Sequence, residues 1–183
     1  TSCNDRWDDY YGNAAMEDRT EMTVLEYLNT HPEYSQFLNM LKTNGLEDEL
    51  KKDHQITVWT VCNDSMNISN VQPHDTLRMR YHLNYLPFLR TDLKNGLRIR
   101  SLNGIYFQIS IQENKLYANA SQILKSVKLK NGVVHEISRL MKSRINIYDY
   151  LKGLDDNYSL IRDSIFKYNV EKFDKANSVP IGV

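Results

Sequence analysis

The sequence predicts an α+β domain, two or three helices followed by a small antiparallel sheet system, and three observations predict it. Apolar residues recur at helical spacing between residues 23 and 45. From Ile56 onward the pattern shortens toward the two-residue period of strands. Four of the seven glycines follow an asparagine, which marks a chain of tight turns and not of phosphate-cradling loops.

The elements follow in order. In TVLEYL, Thr23 and Glu26 have capping-box spacing, with Val24, Leu25 and Leu28 apolar behind them. Pro32 suits the first turn of a second helix in HPEYSQFLNMLKTNG, where Tyr34, Phe37, Leu38 and Leu41 share a face and Gly45 supplies the stop. ITVWTV, beginning at Ile56, is β-branched and aromatic, so it reads as a strand. Asp75 is placed to cap a helix over DTLRMRYHLNYL. LRIRSL then alternates, Asn103-Gly104 signals a two-residue hairpin, and IYFQISIQ puts Ile105, Phe107, Ile109 and Ile111 on one face. Glu113-Asn114 turns into KLYANA, and SVKLK, Asn131-Gly132 and VVHEISRLM supply a further strand, turn and strand.

Hydrophobic residues make up 41% of the 183 and charged residues 25%, and no run approaches the ~18 apolar residues of a membrane helix. The net charge is zero but unevenly spread: residues 1–77 carry 5 basic and 14 acidic side chains, residues 78–144 carry 13 and 3, and residues 145–183 carry 5 and 6. A basic face for an anionic ligand and two oppositely charged halves packed together both fit this distribution. The spacing of Arg98/Arg100 and Lys128/Lys130 favours a simpler reading, the solvated side of strands.

Cys3 and Cys62 make no disulfide framework, and neither has a CxxC partner or a nearby histidine at metal-ligand spacing. Cys62 ends an apolar run and reads as a small buried hydrophobe. Cys3 lies in an acid-rich stretch without apolar periodicity, residues 1–19, which reads as a tether. TVLEYLNTHPEYSQFL at 23–38 is echoed by NIYDYLKGLDDNYSLI at 146–161. The echo makes residues 144–183 the start of a second repeat or a helical C-terminal extension.

Three blocks now stand in order: TVWTVCNDSMN, Tyr81-His82, and NGVVHEISRLM. Together they resemble the fasciclin domain over residues 20–143. The closing block matches each signature position, Asn131, Gly132, His135 and Ile137 among them. In the first block Thr57, Val58 and Asn63 agree, Trp59 stands for a phenylalanine, and Val61-Cys62 replaces a Pro-Thr. The resemblance implies N-terminal helices packed on a small antiparallel β-sheet or wedge. It also implies a non-enzymatic binding module without a cofactor or metal, with Tyr81 and His82 in a neighbourhood connected with partner binding.

Thr-Ser-Cys further resembles the end of a bacterial lipobox, and CNDRWDDYYG resembles the start of fasciclin-type surface lipoproteins of Bacteroidetes. That likeness implies an acylated Cys3, a lipoprotein tether over residues 1–19 and display on the outer membrane. By the same analogy the partners are envelope proteins, a TonB-dependent transporter and its lipoprotein lid in a SusC/SusD-type nutrient importer. Trp7, Tyr10 and Tyr11 then serve to dock the tether or to stack on sugars. A glycan-binding or host-matrix adhesion module, using aromatic and basic positions of residues 78–144, is the alternative. A hydrolase would pair His82 or His135 with Asp64 and Ser65, but no G-x-S-x-G elbow accompanies them, and no nucleic acid partner is expected.

Overall fold

The computed structural model describes residues 16–52, 54–68, 75–142 and the three residues 163, 164 and 167. The chain forms two compact units, Thr1–Ser143 and Arg144–Val183. Of the second, Asp163, Ser164 and Lys167 are helical, and the expected repeat otherwise lies outside the described residues.

The first described element of the first unit is a strand, β1 (Glu17–Arg19), inside the stretch that composition reads as tether. Its acids explain the difference: Glu17 pairs with Lys125 at 2.9 Å and Asp18 with Lys128 at 3.8 Å, so acidity here complements a basic strand. Helix α1 (Val24–Thr30) starts from the predicted capping box, with the Thr23 N–H donating to Glu26 Oε2 at 2.7 Å and the Glu26 N–H to Thr23 Oγ1 at 3.2 Å. A 3₁₀ turn (Pro32–Tyr34) leads into α2 (Ser35–Thr43). Gly45, at φ +68°, then allows the Leu46 N–H to reach Leu41 O at 2.9 Å and the Gly45 N–H to reach Lys42 O at 3.0 Å, a Schellman stop.

After α3 (Glu47–Lys51) come β2 (Ile56–Thr60), α4 (Asn63–Ile68) and α5 (Thr76–Tyr81). Helix α5 is shorter than its apolar pattern suggests. Asp75 caps it as expected, but Leu83–Asn84 leave it to form β3, which pairs with β2. A second 3₁₀ turn (Arg90–Asp92) precedes β4 (Arg98–Arg100), β5 (Tyr106–Gln112), β6 (Lys115–Ala118), β7 (Ser121–Leu129) and β8 (Gly132–Ile137).

The strands run in the order β3-β2-β8-β7-β6-β5-β4, with β1 joined to β7. The sheet is mixed, which corrects the expected antiparallel wedge: β2 lies parallel to β8 and β1 parallel to β7. Alternation within each strand reveals half-burial but not which distant strand lies beside it. β6 pairs with β7 only at its start, through Tyr117↔Gln122 and Ala118↔Ser121, and leaves the far end of that edge for β1 at Val127–Leu129. The core gathers Trp59, Tyr27, Tyr34, Phe37, Phe107 and the aliphatics of β2, β5, β7 and β8.

Candidate functional site

The site is a short apolar loop held from beneath by buried polar side chains. β2 buries all five of its residues. Such a strand needs partners for its polar side chains. Thr57 finds them in the loop: its hydroxyl donates to Leu86 O and accepts from the Phe88 N–H at 2.9 Å. The Trp59 indole N–H donates to Asn84 Oδ1 at 2.9 Å, and the Asn84 amide donates to Leu86 O at 2.8 Å. From β8, His135 Nε2–H donates to Phe88 O at 2.8 Å, while Nδ1 accepts from the Ser126 hydroxyl at 2.8 Å. Trp59 stacks on the His135 ring at 4.5 Å.

What this holds in place faces water. Tyr85 is 51% exposed and Leu86 63%, with Pro87 exposed beside them. Tyr85 is also tied sideways: its hydroxyl donates to Glu49 Oε2 at 3.2 Å, and its ring meets His54 edge-on at 4.9 Å. An exposed apolar residue alone is unremarkable. A run of them on a backbone fixed at Leu86 and at both ends of Phe88 is an exposed apolar surface whose ordering cost is already met by the fold.

Tyr81 and His82 prove to be 1% and 0% exposed, so their side chains offer no surface to a partner in this unit. The Tyr81 hydroxyl accepts from the Asn119 amide at 3.0 Å. His82 is a clamp: Nδ1–H donates to Arg78 O at 2.8 Å and Nε2 accepts from the Met141 N–H at 2.9 Å. Burial lowers both the His82 and the His135 imidazole to about 4, and each is therefore neutral. The solvent-facing atoms near Tyr81-His82 belong to the residues that follow them.

Asn131 and Gly132 join elements far apart in sequence. The Asn131 side chain accepts from the Val24 N–H at 2.8 Å and donates to Leu50 O at 3.1 Å. A Cβ on Gly132 would lie 1.9 Å from Ile56 O. Asn63 links α4 to the 3₁₀ turn, donating to Pro32 O at 2.9 Å and accepting from the Gln36 N–H at 3.0 Å. Val58 and Ile137 are core residues. Cys62 is half-buried, less enclosed than its apolar run suggests, with Sγ 3.4 Å from Ser65 Oγ. Cys3, Trp7, Tyr10 and Tyr11 lie outside the described residues.

Ser126 and His135 have the separation of a nucleophile and its base, but both are fully buried and the other ring nitrogen serves a backbone carbonyl. A substrate has no route to that hydroxyl in the folded unit. Among the described residues no cluster of His, Cys, Asp and Glu could hold a metal ion, and no helix is long and apolar enough to cross a membrane. Sequence reasoning overlooked Tyr85, Leu86 and Pro87. The usable signal was the apolar YLPFL containing Pro87, which can continue neither the helix before it nor an internal strand.

The Fasciclin domain family model matches residues 32–143. No curated protein matches the sequence. Among solved structures, the chain is similar to a FAS1 domain pair from the insect cell adhesion molecule fasciclin I, with a TM-score of 0.58 and 14% identity over 68% of this chain and 52% of that one. The chain thus spans about half the length of that domain pair. At such identity the likeness concerns fold, and it agrees with the helices and large mixed sheet seen here. Fasciclin domains are generally adhesion or binding modules. Family match, block order and architecture coincide, and this chain belongs to the fasciclin domain family.

Proposed function

We propose that this protein is a non-enzymatic, lipid-anchored module of a bacterial envelope that works by gripping another protein. The observation that carries the reading is the loop at Tyr85–Pro87, apolar, exposed and tied from below by Thr57, Asn84 and His135. The solved relative is a cell adhesion molecule, which supports a contact function of this general kind. In the proposal Cys3 carries the acyl chain, and the acid-rich segment after it spaces the domain from an anionic surface. The partner is an outer-membrane protein, with a TonB-dependent transporter and its lipoprotein lid as the proposed assembly.

Affinity purification from detergent-solubilised native membranes tests the reading. The wild-type protein is expected to bring down a stoichiometric envelope partner, and Leu86→Asp to release it while the domain still melts cooperatively. Recovery of free monomer alone, or retention of the partner by Leu86→Asp together with Tyr85→Ala, would count against the loop. The anchor is checked separately by mass spectrometry of the native N-terminus, where an unmodified Cys3 would remove it.

A further inference from the structure

A second surface, on other strands, has a different chemistry. In the β4–β5–β6 meander, Arg98 lies opposite Gln108, Arg100 opposite Tyr106, and Gln112 opposite Lys115. Facing pairs in an antiparallel ladder share a side of the sheet, so these residues stand on one face. The intervening Ile99, Phe107, Ile109 and Leu116 are buried on the other. All six are exposed, and Tyr106 is 50% so. The Arg98 guanidinium lies 5.0 Å from the centre of the Tyr106 ring.

The charge on this face is unanswered. Residues 93–135 carry seven cations and a single carboxylate, Glu113, which sits in the turn between β5 and β6. On β7 the cations are matched by β1, through Lys125–Glu17 and Lys128–Asp18. Among the described residues Arg98, Arg100 and Lys115 enter no such ion pair.

Spacing identifies the anion. Arg98 and Arg100 are two strand residues apart, about 7 Å, and Lys115, opposite Gln112, lies two strands over and four residues beyond the Arg98–Gln108 pair, about 10 Å across and about 13 Å along the sheet. Amides and a phenol fill the intervals. Duplex nucleic acid presents one charge per ~1.7 Å of axis, far denser than this strip can answer. A chain of sugars alternates carboxylates with hydroxyls and offers apolar ring faces to tyrosine, which fits guanidinium, amide and aromatic groups set side by side. We infer that the exposed face of the β4–β5–β6 meander binds an acidic, carboxylate-bearing polysaccharide.

Calorimetric titration of the full chain with polygalacturonate, neutral dextran and duplex DNA tests this. Polygalacturonate is expected to bind, more weakly as salt rises, and dextran not at all. Arg98→Gln with Arg100→Gln should weaken binding by at least about tenfold, and Tyr106→Ala by several-fold, whereas Lys130→Ala should leave it unchanged. Thermal melting accompanies each variant, and the glutamines keep enough of the stems that the fold is retained. No heat with polygalacturonate, equal loss in Lys130→Ala, or DNA binding of equal strength abolished by the same arginine changes would each overturn the inference.

Discussion

Asn131 holds three separate pieces of backbone, accepting from the Val24 N–H and donating to Leu50 O through its amide while its own carbonyl receives the Ile56 N–H at 3.0 Å. Asn131→Ala would leave a helix-start N–H and a carbonyl without protein partners, and should cost about 2–4 kcal/mol in urea unfolding at neutral pH. Asn131→Asp should recover only part of it, since a carboxylate still accepts from the Val24 N–H but cannot donate to Leu50 O. Gly132→Ala should be worse than either, because Ile56 O occupies the space its methyl needs and a parallel strand would have to shift. The dipeptide reads in the sequence as a turn, and the turn lies one residue earlier, at Lys130-Asn131, with Gly132 already the first residue of β8. The reason for its glycine was not visible: the turn residues Lys130 and Asn131 are absent from the positive-φ positions, and Gly132 serves close approach to a strand more than seventy residues earlier. Glu113-Asn114 shows the opposite case, a turn legible locally and built locally, with φ of 48° and 60°.

Strands β5, β6, β7 and β8, both helix starts and the Schellman stop follow from local pattern, because period, cap and turn chemistry act within a few residues. β2 is legible too, as ITVWTV, but the strand β1 and the parallel pairings of β1 with β7 and of β2 with β8 are not, since partners are chosen by burial and charge across the whole chain. β1 is the clearest example: its three residues have no apolar pattern, and its place is set by the ladder to Val127–Leu129 and by cations opposite its acids. A double-mutant cycle on Glu17→Gln and Lys125→Met, read by chemical denaturation, should give a coupling of only ~0.2–1 kcal/mol, because the pair sits at the surface with both side chains in contact with water. The loop after β3 was lost for a related reason. Its residues look like core, and what keeps them at the surface is a set of buried hydrogen bonds from β2 and β8.

For the unit as a whole, the two buried imidazoles set the response to acid. Each titrates at about 4 in the fold against 6.5 for the free group, owing chiefly to burial. Above 6.5 neither the folded nor the unfolded chain gains a proton at these sites. Between 6.5 and 4 the unfolded chain takes up two that the folded one refuses, so stability falls as pH falls through that window. The loss should reach roughly 3 kcal/mol per histidine by its lower end. Urea midpoints measured from pH 7 down to 4 should trace it, and His82→Gln should flatten about half of the slope while lowering stability at neutral pH. The uneven charge of the sequence is partly resolved at this scale as well. Acids of β1 neutralise cations of β7, while the basic side of the β4–β6 meander stays open to solvent.

One tie bears on how the unit carries mechanical load. Met141 is held by both of its backbone groups, its N–H by His82 Nε2 and its carbonyl by Arg78 Nε at 3.3 Å. A pull on the chain from residue 142 onward therefore meets this knot on α5 before it reaches β8. The next ties in line are Arg139, bonded through two nitrogens to Ala120 O, and the Ser138 N–H to Gln122 O at 2.9 Å. Only after these give way does tension fall on the ladders of β8 with β2 and β7, so the strand that braces the apolar loop is the last of the series to be loaded.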